Sequence, residues 1–159
     1  MSELHVRQLE QYLSNVLFPL IDTSDLSGMA AAQIQQAKLS RALTAFSIIG
    51  LTGAAANQVA PFILDGGHDQ GIDGCFYDET KNTLVFVQSK WHAGGTKTIT
   101  KGDILKFLHG IKLVLSASWD TFSQKFQEHK ELIEKVLLKP DVAVTAAVSF
   151  TGDNRLGTH

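Results

Sequence analysis

The sequence predicts an α/β fold in which a small central mixed sheet lies between two sets of helices. Three observations point to it. Apolar residues recur at helical spacing through the N-terminal part of the chain; two strand-like runs, IDGCFY and LVFVQSKW, follow in the middle; helical spacing then returns before a last apolar run, VAVTAAVSF, at 142–150. Helices, then strands, then helices and a strand are an order that layered α/β and α+β domains satisfy.

The elements follow in turn. Leu9, Tyr12, Leu13, Val16, Leu17 and Leu20 predict a first helix over about 3–18, with Pro19 marking its end. TSDLSG supplies turn and N-cap residues before a second helix over about 29–49, rich in Ala, Gln and Leu. Thr52 is placed to cap a short third helix through about Val59. After Pro61, FILD is suited to a strand and GGHDQG is a glycine-rich loop. DETKN has hairpin-turn chemistry between the two central runs. A helix is expected from Asp103, with Ile104, Leu105, Leu108, Ile111 and Leu115 at helical spacing. Another is expected over about 120–138, with Phe122, Phe126, Ile133, Val136 and Leu137 inward and Pro140 at its end.

With 159 residues, 44% hydrophobic and 19% charged, the chain is sized for a single domain (1–159) with a substantial core. A net charge of −2 argues against coating nucleic acid by bulk charge, but leaves room for a locally basic enzyme site. A lone cysteine, Cys75, rules out an internal disulfide and fits a reducing cytoplasm. There is no apolar run of the ~18–20 residues that a membrane span needs, so no membrane partner is expected. The last strand runs into TGDNRLGTH without a closing element, which reads as the N-terminal part of a longer protein or as a frayed tail.

A hairpin turn centred between Thr80 and Lys81 sets Asp73 opposite Gln88. Lys90 then shares a face with Gln88 and lies diagonal to Asp73, at roughly 7–8 Å between Cα atoms. Leu84, Val85, Phe86 and Val87 form the continuous apolar run of a strand covered on both sides. An acid, an amide and an ammonium at the end of such a strand are costly to desolvate unless they serve a ligand. A divalent cation and a phosphate would offset that cost: Asp73 and Gln88 offer hard oxygen donors suited to Mg²⁺, and Lys90 can orient water or steady phosphoryl charge.

The segment GGHDQGIDGCFYDETKNTLVFVQSKW resembles the core of PD-(D/E)xK nucleases, especially their Mrr-like branch, in which a G-x-D-x-G-I-D loop precedes a hairpin ending in Q-x-K. It is more similar still to the N-terminal region of abortive-infection phage-resistance proteins, with their DGG-x-D-x-G-I-D loop and V-Q-S-K strand. The resemblance covers about 61–91. It implies a restriction-endonuclease-like core, with Asp73 as metal-binding aspartate, Gln88 in place of the parent Glu or Asp, and Lys90 as the catalytic lysine. Asp69 matches the acidic residue before G-I-D and a further metal position, and Asp65 matches the aspartate that opens the loop. The implied activity is Mg²⁺-dependent endonucleolytic hydrolysis of DNA, with Mn²⁺ as a substitute cation and RNA as a variant substrate, in defence against phage or foreign DNA. Implied partners are a homodimer mate and the remainder of a longer chain or a regulatory protein.

Gln88 leaves the site one carboxylate short of the parent pattern. Glu10 on the first helix is a candidate replacement, whereas the start of the second helix offers only Gln33, Gln35 and Gln36. A shortage of carboxylates defines the alternative: a degenerate nuclease fold that binds nucleic acid or protein without cutting. His68, His92, His109 and Cys75 match no closed zinc spacing, and GGTK lacks the P-loop pattern. Lys97, Lys101 and Lys106, with Trp91 and Thr96, are placed either to meet a phosphate backbone or to form a solvated face. Gln33, Gln36 and Lys38 offer the same two readings.

Overall fold

The computed structural model describes residues 1–153. Ser2 caps the first helix, α1 (Glu3–Tyr12), with its hydroxyl accepting from the His5 N–H. Pro19 cannot donate to the backbone, and the helix loosens before it. Leu13–Leu17 form a π-turn and Phe18–Leu20 a 3₁₀ turn, so the expected helix over 3–18 is continuous in path but not in hydrogen bonding. TSDLSG does not cap the next helix. It makes a 3₁₀ turn at Ser24–Leu26 and leaves through Gly28 at φ 85°.

The helix α2 (Ala31–Thr52) is the longest element; Gln33 caps it by accepting from the Ala30 N–H, and Gly53 closes it in the left-handed region. Thr52 belongs to the end of α2, where its hydroxyl donates to the Ile48 carbonyl. The short α3 (Ala56–Val59) starts from Ala55 instead, contrary to the expected Thr52 cap. FILD is not a strand either. Pro61 sits in a 3₁₀ turn, Ala60–Phe62, and only a single bridge joins Ile63 to Gly74.

Among the described residues the sheet has three strands in the order β1 (Gly74–Asp78), β2 (Thr83–Lys90), β3 (Ala143–Phe150). β1 and β2 are antiparallel, from Gly74 opposite Val87 to Asp78 opposite Thr83, the register that a turn centred between Thr80 and Lys81 requires. β3 returns parallel to β2, with Thr83 beside Ala143 and Lys90 beside Phe150. The mixed sheet flanked by helices is the architecture expected from the sequence.

Alternation along β2 divides the core into two layers. Val85, Val87 and Trp91 pack with Val6, Leu13, Leu17, Leu43 and Ile48 of the N-terminal helices. Leu84 and Phe86 face the other way, with Cys75, Phe107, Ile111, Val114 and Phe126. The helix α4 (Lys101–Leu115) starts two residues before Asp103, with Thr100 as cap and Asp103 in its first turn. Its buried stripe is Phe107, Gly110, Ile111 and Val114, while Leu105, Leu108 and Leu115 are exposed. The inward face is therefore rotated from the expected one, because Gly110 lets the helix rest on the Gln70 carbonyl where a Cβ would collide.

The expected helix over 120–138 is broken into a 3₁₀ turn at Trp119–Thr121, α5 (Gln124–Gln127) and α6 (Lys130–Leu137). Ser123 forces the break: its N–H donates to the His68 carbonyl and its hydroxyl caps α5. Phe122, Phe126, Ile133 and Val136 are nevertheless buried as expected, with Leu137 packed at the edge. Among the described residues no single helix is long and apolar enough to cross a membrane.

Candidate metal and phosphate cleft

The glycine-rich loop between Ile63 and β1 carries three aspartates, Asp65, Asp69 and Asp73. Asp69 turns its carboxylate back onto the loop: Oδ1 accepts from the Gly71 N–H at 2.7 Å and Oδ2 from the Gly66 N–H at 3.4 Å. His68 and Gln70 at φ 60° and 54°, and Gly71 at φ 80°, make the tight reversal that returns the chain to β1. At Gly71 any side chain would meet the Phe107 backbone at 3.0 Å, so loop and α4 fit closely.

Asp73 leaves the β1–β2 ladder just before it would pair with Gln88. Its N–H donates to the Val87 carbonyl at 2.8 Å and its carboxylate Oδ2 accepts from the Ser89 N–H at 2.6 Å. The expected face-to-face pair is thus replaced by an aspartate whose bonds bracket Gln88. Its carbonyl accepts from both the Leu64 and Asp65 N–H groups, which draws Asp65 to the same place.

The result is a cleft of about 910 Å³ lined by Asp65, Asp69, Asp73, Gln88 and Lys90 together. Asp65, Asp69 and Asp73 each present a carboxylate oxygen within 4.8 Å of the others. Gln88 is 1% exposed, and its Oε1 has no hydrogen-bond partner among the described residues. The three clustered carboxylates are a set of hard oxygen donors that fits a divalent cation, and Gln88, with its unpartnered amide oxygen, lines the same cleft.

The electrostatics are those of a site prepared for positive charge. Burial pushes the Asp73 carboxyl up to about 8, with the Asp65 charge adding to it and the Ser89 N–H opposing. Burial also raises Asp65, against the pull of Arg41. Like charges held this close favour a proton or a metal ion. Lys106 meets Asp69 Oδ1 at 3.4 Å. Lys90, 39% exposed in its side chain, meets Asp103 Oδ1 at 3.3 Å. Burial works to raise Asp103, but its bonds to Thr100 and the Lys90 charge hold it below the usual carboxylate range. His92, lining the same cleft, is lowered by burial and by the Lys97 and Lys90 charges.

Of the other residues singled out in the sequence, Gln33, Gln36, Trp91, Thr96, Lys97 and Lys106 line the cleft. Gln36 is already committed, donating to the Trp91 carbonyl at 2.9 Å. Glu10, Gln35, Lys38 and Lys101 do not line it, and Lys38 sits over the Phe18 ring. Asp65, and not Glu10, is the further carboxylate that the cleft contains. No cluster of metal-ligand side chains among the described residues includes His68, His92, His109 or Cys75; Cys75 is buried in the core with its thiol pushed up by burial.

Two further residues, Arg41 and Asp103, carry no local signal of their place beside the cleft, or only a faint one. Arg41, 2% exposed on α2, binds Asp65 and Asp25 at once. An arginine within the buried face LSRALTA was the available signal, since such a residue is rarely buried without partners. Asp103 is the second; the Thr100–Asp103 spacing marks a helix cap, but nothing local marks a lysine partner. Set against models of protein families, curated proteins and solved structures, the chain finds no match in any of the three comparisons.

Proposed function

We propose that this cleft is the active site of a metal-dependent phosphodiesterase, a DNA endonuclease of the PD-(D/E)xK kind with a restriction-endonuclease-like core. The observation that carries the reading is the convergence of Asp65, Asp69, Asp73 and the unpartnered Gln88 amide, with Lys90 on the same cleft. Asp69, Asp73 and Gln88 are the residues to hold Mg²⁺ or Mn²⁺, with Asp65 supplying the carboxylate that Gln88 lacks. A bound cation would polarise the scissile phosphate and lower the pKa of an attacking water.

The chain's own groups do the rest. Ser89 fixes the Asp73 carboxylate through its N–H, so that only one oxygen is left to turn into the cleft. Lys90 is tethered by Asp103 at the rim, where its ammonium can meet a phosphate oxygen as charge develops. Lys97, Lys106 and His92 line the path of a polyanionic backbone. The proposed setting is cytoplasmic defence against phage or foreign DNA, with a homodimer mate or a further regulatory segment choosing the target.

The deciding experiment incubates the protein with supercoiled, linear and single-stranded DNA and with RNA, in Mg²⁺ or Mn²⁺, beside Lys90→Ala. The reading requires metal-dependent cutting that Lys90→Ala abolishes while its circular dichroism stays unchanged. A second reading, a degenerate fold that binds nucleic acid without cutting, draws on the Lys106–Asp69 contact, which partly neutralises the cluster without a metal. It requires retained nucleic-acid binding with no cleavage in either cation.

A further inference from the structure

Arg41 spends all five of its N–H donors on two acidic turns. Nη1 and Nη2 donate to the two Asp25 carboxylate oxygens at 2.7 and 2.6 Å, and Nη1 also to the Asp22 carbonyl at 2.8 Å. The remaining bonds go to Asp65: Nε to Oδ2 at 3.3 Å and Nη2 to the carbonyl at 3.1 Å. The short, paired bonds are those to Asp25, and the contact with the Asp65 carboxylate is single and long. Asp65 Oδ1 has no hydrogen-bond partner among the described residues.

Asp25 does not reach the metal cleft. It lines a separate cleft of about 510 Å³ with Asp22, Lys125 and Glu128, and Asp65 is the residue that the two clefts share. We propose that Asp25 is a positioning residue for the metal cluster: it takes up the Arg41 charge in a two-bond fork and so leaves the Asp65 carboxylate turned toward Asp69 and Asp73. This rests on the metal reading above.

The physical reason is competition. A buried guanidinium is charged at every accessible pH and prefers a carboxylate it can grip with two parallel bonds. Without Asp25, the carboxylate that the guanidinium already touches is that of Asp65. A fork onto Asp65 would occupy both oxygens and place an uncompensated positive charge beside the cation site. Both consequences weaken metal binding, and neither requires the fold to change.

The test is Mn²⁺ titration by calorimetry on the full chain, with the melting temperature of the metal-free protein measured in parallel. Asp25→Asn keeps the shape and removes the charge; its side chain is 51% exposed on a surface turn. It is expected to weaken Mn²⁺ affinity about tenfold, the scale of a single hydrogen bond to a charged group. Asp25→Glu should restore most of that loss. In the Asp65→Asn background, Asp25→Asn should add almost nothing, because its effect runs through Asp65. Asp25→Ser provides a second neutral replacement judged by the same titration. A neutral variant that melts lower but binds Mn²⁺ as wild type does overturns the inference, as does full additivity with Asp65→Asn. A wild-type chain that takes up no Mn²⁺ overturns instead the metal reading beneath it.

Discussion

The Asp73 carboxylate accepts a 2.6 Å hydrogen bond from the Ser89 N–H, yet its pKa is pushed up to about 8. One strong donor does not offset burial together with the charges of Asp65 and Asp69. The folded protein therefore holds a proton on Asp73 that the unfolded chain releases near 4. Between those values the native state binds more protons than the unfolded one, so stability falls as pH rises through that window and levels off above about 8. Asp73→Asn removes the titration. In chelator at pH 8.5 it should melt higher than wild type, and at pH 4 the difference should vanish. Equal differences at both pH values would contradict the assignment.

Metal uptake should show the same proton. At pH 7 the cation must displace it from Asp73, so Mn²⁺ binding is expected to release close to one proton, seen as buffer-dependent heat in calorimetry. At pH 9 that release should be nearly gone. A heat independent of the buffer at pH 7 would place the ligand elsewhere.

Gln88 carries a stability cost for its site. Its Oε1 is buried without a partner, a state that costs about 1–3 kcal/mol. Gln88→Leu fills a similar volume and is expected to raise the melting temperature of the metal-free protein while weakening Mn²⁺ binding. A variant that is both less stable and unchanged in metal affinity would show the amide to be an ordinary packing residue.

Lys90→Ala should leave Mn²⁺ affinity nearly intact, since lysine is not a ligand, and lower cleavage by at least about a hundredfold. Asp103→Asn, whose side-chain oxygen can still accept from the Thr100 N–H, should cut more slowly than wild type but faster than Lys90→Ala. Activity that survives Lys90→Ala would remove the lysine from the chemistry.

Gly110→Ala probes the seating of α4 against the loop. Its Cβ would run into the Gln70 carbonyl, which is backbone and cannot swing aside. A loss of about 1–3 kcal/mol in urea unfolding is expected. A weaker metal site should accompany it, because Gln70 adjoins Asp69. Unchanged stability would mean that helix and loop have room to part.

The parts of this architecture that are legible in the sequence are those governed by local rules. DETKN sets the turn, and the turn sets which residues of β1 and β2 face each other. The apolar run Leu84–Val87 announces a strand covered on both sides, and both layers are present. What is not legible depends on residues distant in the chain. The Asp73 shift out of the ladder comes from Leu64 and Asp65 donating to its carbonyl. The rotation of α4 comes from its seat on Gln70, and the break before α5 from the pull of His68 on Ser123. In the cleft, the loop aspartates are visible as residues, but nothing local shows that Asp65, Asp69 and Asp73 meet in one cluster, or that Arg41 of α2 lies against Asp65.

The parallel return of β3 along β2 has a bearing on how the molecule is made. The hairpin that carries Asp73 and Lys90 closes over a few residues and can form within microseconds, whereas β3 must wait for α4, α5 and α6 to be laid across the sheet. Until then the β2 backbone from Thr83 to Lys90 presents unpaired N–H and C=O groups along one edge to any other nascent chain. Slow synthesis through 101–137 would therefore lengthen the interval in which this protein is most prone to stick to its own kind.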